Sequence, residues 1–239
     1  MRWLMTGATV VATVALSGCT TTVDGRPANG ASGVGASTTS AKPPARVQDA
    51  DLAQLLLSLD EIRGTMGGPK MVVEKTITQP AGLEGGTFTP AECVGAYFNG
   101  MAVTYDGSGM RAFVEQETDE PEPQKLEHGV DQGVASFDDS TAAKAFVARS
   151  AEQWRNCDGR LFTAVFSDGA KRPTWRFGET SDSGGIITLP RHVEGTKFWD
   201  CARVVASKAN VVVDNQVCAY DLTDKPTTIT KAILAKIPD

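Results

Sequence analysis

The chain has 239 residues, 41% of them hydrophobic, and carries 23 basic against 29 acidic side chains for a net charge of −6. That is enough length and apolar content for one ordinary globular core. The acidic balance makes nucleic acid and anionic lipid headgroups poor partners.

Arg2 precedes an apolar run from Val10 to Leu16, which ends in Ser17-Gly18-Cys19. The run is well short of the ~20 residues a spanning helix needs. Small residues before a cysteine suit a lipoprotein signal peptidase, which cuts before the thiol that carries the lipid. Residues 1–18 therefore read as a signal peptide and Cys19 as the lipidation site. The alternatives are an ordinary secretory signal and a short membrane span. No later segment reads as membrane-spanning, so the expected location is the extracytoplasmic face of the cell membrane, held by lipid anchor alone. Without Arg2 the balance is 22 basic to 29 acidic, a net of −7.

Residues 19–47 combine that cysteine with a Thr, Gly, Ala, Ser and Pro stretch almost free of large apolar side chains, which cannot repay the entropy of ordering. It reads as a flexible tether, with hydroxyls that O-linked sugar can occupy. From residue 48 to 239 there is no repeat and no composition break, so a single domain is expected.

In chain order, Leu52, Leu55, Leu56 and Leu59 fall at helical spacing, and Ser58 with Glu61 forms a capping box for a second helix ending at Gly67-Gly68. Thr89-Pro90-Ala91-Glu92 reads as another capping box, placing Cys93 on a first helical turn. Asp138 and Asp139 start a helix to Cys157 whose apolar face carries Phe146, Val147 and Trp154, and a last helix runs over 226–236 with Ile229, Ile233 and Ile237 as its stripe. Strands are predicted over 71–78, 111–118, 129–137, 160–167, 185–189, 201–207 and 211–219. The pattern predicts an α+β fold of the α/β sandwich type, with a largely antiparallel central sheet and packed helices.

Five cysteines are an odd number in an exported chain, and lipidation of Cys19 accounts for the odd one. The other four allow three pairings. A two-residue turn at Ala209-Asn210 lies midway between Cys201 and Cys218 and sets them opposite each other as a non-hydrogen-bonded pair, within reach of a disulfide. Ala-Asn is a poor match to such a turn, and a longer loop or a bulge near Asp214 would shift the register. With that pair formed, Cys93 meets Cys157. The competing four-thiol metal site lacks any CxxC spacing, so neither metal nor cofactor is expected.

Only His128 and His192 are available to a nucleophile, and neither lies in a hydrolase motif. Tyr105-Asp106-Gly107-Ser108-Gly109 reads as a turn between strands. The carboxylates Glu115, Glu117, Asp119, Glu120 and Glu122 supply what a glycan hydrolase needs if two stand at the right separation; the simpler reading is a solvated strand end and acidic loop. Arg191 and His192, after Pro190, and Trp199 are candidates to line a polar ligand pocket.

The runs Leu55-Leu56-Leu57-Ser58 with Glu61-Ile62, Glu92-Cys93, Tyr105 to Gly109, Trp154-Arg155-Asn156-Cys157, and Asn210-Val211-Val212-Val213 leading to Cys218 resemble the extracellular sensor domain of mycobacterial PknH-type Ser/Thr kinases. The resemblance covers about 48–239 and rests most on the order and spacing of the four cysteines. It implies two sequential disulfides, an antiparallel sheet and a polar cleft for an unidentified ligand, and it supplies no catalytic residues. No kinase domain or spanning helix is read here, so any sensing must be relayed by a partner. The expectation is a non-enzymatic, sensor-like envelope lipoprotein binding a small molecule, lipid, glycan or envelope protein. The alternatives are a hydrolase using paired carboxylates and a scaffold for envelope proteins.

Overall fold

The computed structural model describes residues 46–82, 85–121, 127–167, 169, 172–195 and 199–239. Cys19, the signal peptide and nearly all of the tether lie outside the described residues, as does Glu122. Packing begins at Val47, one residue before the expected domain boundary: it is buried, and the Asn210 side chain accepts from its N–H and donates to its carbonyl.

Among the described residues ten strands form one antiparallel sheet in the order β1 (Val72–Ile77), β3 (Ala112–Asp119), β4 (His128–Ser136), β10 (Val211–Ala219), β9 (Asp200–Lys208), β8 (Ile186–Val193), β6 (Trp175–Phe177), β5 (Leu161–Val165) and β2 (Thr87–Thr89), with β7 (Ser181–Ser183) also on β8. Because side chains alternate along each strand, the sheet has two distinct faces. The back face presents Val114, Val130, Val134, Val213 and Val217 to α1 (Leu52–Leu55), α2 (Leu59–Met66) and α6 (Lys225–Lys236). The front face presents Phe113, Ala135, Val212 and Leu189 to α3 (Val94–Tyr97), α4 (Ala102–Tyr105) and α5 (Ser140–Arg155).

The local signals account for most of these elements. Ser58 and Glu61 form the expected capping box, and α2 ends where Gly67 turns left-handed at φ 76°. The break between α1 and α2 is fixed by Gln132 on the back face, whose amide accepts from Leu57 N–H at 2.7 Å and donates to its carbonyl at 2.9 Å. Asp139 caps α5 through the N–H groups of Thr141 and Ala142, and Trp154 is buried beneath that helix. The Ala209-Asn210 turn holds without a bulge: Ala209 takes φ 50°, Lys208 pairs with Val211, and Cys201 lies opposite Cys218. Both disulfides are as expected, with Cα separations of 5.8 Å for Cys93–Cys157 and 4.0 Å for Cys201–Cys218.

Three expectations change. Thr89 does not cap a helix, because it is committed to the ladder with Thr163 of β5, and the Glu92 carboxylate is drawn to Arg160 at 2.9 Å. Cys93 consequently sits on a 3-10 turn ahead of α3. The segment at Asp106 to Gly109 joins α4 to β3, not two strands. β8 runs four residues past Leu189 and through Pro190. There the proline carbonyl accepts from Gly178 N–H, so its ring nitrogen faces the gap between β7 and β6, where no strand asks for a donor.

Candidate ligand-binding site

Front-face positions near the middle of the sheet are polar where an apolar core would be expected. Reading across the strands, one row is Glu115, Gly133, Asp214 and Val205; the next is Glu117, Asp131, Gln216 and Arg203; the third is Asp119, Gly129, Cys218, Cys201 and Arg191. Five carboxylates thus share the face with two guanidinium groups.

The deep end is closely bonded, with Nε of Arg203 left as a buried donor that has no hydrogen-bond partner among the described residues. Arg203 and Asp214, with side chains only 1% and 2% exposed, form an ion pair; Arg203 also donates to Gly95 O at 2.9 Å, and Tyr105 OH donates to Asp214 at 2.9 Å. Burial, followed by the Asp214 charge, pushes the Tyr105 phenol well up. Glu115 is buried and receives Asn99 Nδ2 at 2.7 Å, with Gly133 beneath and Gly100 above. A Cβ at Gly100, which has φ 58°, would collide with the Glu115 carboxyl. With Arg203 already claimed by Asp214, burial and the charges of Asp131 and Asp214 push Glu115 up to about 9, so it is neutral at pH 7.

A relay leads outward from Arg191. Its guanidinium lies 4.1 Å from the Tyr97 ring centroid and donates to Tyr97 O and to Gln216 Oε1, the latter at 2.6 Å; Gln216 Nε2 donates to Asp131 at 2.9 Å. Burial lowers Arg191 to about 10. Asp131 is half-buried and directly opposite Glu117; burial, then the Glu117 charge, raises it to about 7. Glu117 in turn meets Lys75 at 3.6 Å. Like charges directly opposite on neighbouring strands destabilise a sheet, so this outer end is held at some cost.

Arg191 is thus a buried wall of the site, joined to the acidic end through Gln216. His192 points to the other face of β8, away from it, and is half-buried. Trp199 lies beyond the third row, half-buried, packed edge-on against the exposed Tyr220 with centroids 5.1 Å apart. His128 is engaged elsewhere, by Glu120 at 2.6 Å; burial opposes ionisation of that carboxyl, but its hydrogen bonds from His128 and the backbone hold it below the ordinary range. Asp131, Asp214, Gln216 and Arg203 escaped the sequence reading. The available signal was the polar triplet Asp214-Asn215-Gln216 inside an otherwise valine-rich strand.

Among the described residues no three His, Cys, Asp or Glu side chains are arranged to hold a metal ion, and no helix is long and apolar enough to cross a membrane. Residues 47–236 match the family of PknH-like extracellular domains. The serine/threonine-protein kinase PknH of Mycobacterium tuberculosis is 33% identical over 196 residues, which cover 82% of this chain. PknJ of the same organism is 30% identical over 204 residues. The chain spans about a third of these relatives' length, 31% and 34% respectively. The crystal structure of the extracellular domain of M. tuberculosis PknH superposes with a TM-score of 0.76 at 31% identity, covering 82% of this chain and 98% of that one. The chain belongs to the PknH-like extracellular domain family and is an extracytoplasmic, sensor-like domain of it.

Proposed function

We propose that this protein is a lipoprotein anchored through Cys19, whose domain binds a small molecule, lipid or glycan on the front face of the sheet and passes its occupancy to an envelope protein partner. The observation that carries the reading is the polar ladder itself. Burying Arg191, Arg203, Glu115 and Asp214 among core aromatics is costly, and replacing such groups by apolar ones is commonly neutral or stabilising. Their joining in a hydrogen-bonded chain that surfaces at Asp131, Glu117 and Asp119 is the arrangement of a preorganised binding site.

Catalysis is not part of the reading. Glu117 and Asp131 do face each other, but Lys75 holds one and Gln216 the other. A scaffold is disfavoured too, since the exposed large hydrophobics among the described residues are Val73, Val103, Leu161 and Tyr220, scattered over the surface. Native mass spectrometry of the protein purified from a mycobacterial host tests the proposal. A co-purifying ligand that is lost in Asp131→Asn and retained in His192→Ala supports it. Turnover of cell-wall glycan that disappears in Asp131→Asn would replace it with the hydrolase reading.

A further inference from the structure

On the α5 side of the molecule, away from the acidic rows, lies a cavity of about 530 Å³ between α5, the β7–β8 hairpin and the end of β9. Its lining includes Val147, Ala151, Ile187, Ala206 and Leu234, with Lys144 and Arg155 on its rim. Lys144, Ala148, Ala151 and Arg155 recur on one face of α5, so the two cations stand roughly 16 Å apart at opposite ends of an apolar strip. Both are exposed, and neither side chain has an ion pair or hydrogen bond among the described residues.

The two ends differ. Asp158, just past Arg155, accepts from Thr180 N–H and hydroxyl at 3.0 and 2.7 Å, which brings the β7 segment with Asp182 to the Arg155 end. The Lys144 end lies near the β9–β10 hairpin, where Phe137 N–H bonds Asn210 O, and there the cavity is lined by the neutral Ser207. A negative charge therefore has an uncontested partner only at Lys144. β8 offers no free edge to an added peptide strand here, because it is already paired with β7 and β9.

We propose that this groove takes a single-chain anionic amphiphile, its head group on Lys144 and its aliphatic chain laid along Ala148 and Ala151 beneath Ile186. The volume falls within the usual ~300–1,000 Å³ of small-molecule sites, and the floor is one helix face wide, which suits one chain rather than two. The net negative charge of the protein disfavours adsorption on an anionic bilayer; the paired contact at Lys144 acts over a few ångströms, inside the ~10 Å screening length, and selects a monomeric ligand.

The test uses residues 46–239, a unit that folds by itself in the related crystallised extracellular domain, and cis-parinarate as the fluorescent probe, below its micellar concentration. Saturable binding to wild type is expected. It should weaken at least tenfold for the parinarate methyl ester and for Lys144→Glu, and vanish in Ala148→Trp, with thermal melts confirming that each variant is folded. If Ala148→Trp does not fold, the ester and Lys144→Glu comparisons still decide. Absence of saturable binding, equal binding of acid and ester, unchanged affinity in Lys144→Glu, or binding of an oligoglutamate peptide in place of parinarate would each overturn the proposal.

Discussion

Replacing Glu115 by glutamine should stabilise the domain, and increasingly so as pH rises. The carboxyl stands at about 9 in the fold against an ordinary 4.5, so the folded state holds a proton that the unfolded chain releases. Its raised value means that full stability is present below about pH 4.5 and is lost progressively up to pH 9, at about 1.4 kcal/mol per unit. Glutamine presents its carbonyl to Asn99 as the neutral acid does and removes the titration. The gain of Glu115→Gln should be about 1 kcal/mol at pH 5.5 and about 4 kcal/mol at pH 7.5. Urea unfolding of residues 46–239 with disulfides intact, at four pH values from 5.5 to 8.5, reads this directly. A difference between variant and wild type that does not change with pH would refute the argument that Glu115 is neutral because Arg203 is already taken.

Asp214→Asn leaves the Arg203 guanidinium buried without its counter-ion and should cost about 3–5 kcal/mol in the same assay. Cys201→Ala with Cys218→Ala opens a disulfide of sequence separation 17 and should lower stability by about 3 kcal/mol, shifting the denaturant midpoint. Asn210→Ala removes the amide that holds Val47 and Phe137 O, leaving buried backbone groups unpaired; a loss of about 2 kcal/mol and faster hydrogen exchange at Val47 are expected.

Features fixed by nearby residues were legible in the sequence. The α2 capping box, the Asp139 cap and the hairpin that aligns Cys201 with Cys218 each depend on a few adjacent positions, and each stands in the fold. Thr89 shows the limit of such signals: the same pattern that caps α2 is overridden when the threonine joins a strand whose partner is 74 residues away. β2, β6 and β7 were missed for a related reason, being three-residue segments that exist only because distant strands complete their ladders. The polar ladder was hidden because its members come from five strands and gain meaning only in register. Glu115 in isolation looks like a solvated acid, yet it lies beneath Asn99 between two glycines.

Hydrogen–deuterium exchange, with and without a soluble extract of mycobacterial cell-envelope lipids and glycan fragments, tests front-face binding most directly. Binding there predicts added protection in β3, β4 and β10, over residues 112–119, 128–136 and 211–219, and its loss in Asp131→Asn. Protection confined to other elements, or protection that survives Asp131→Asn unchanged, would contradict it.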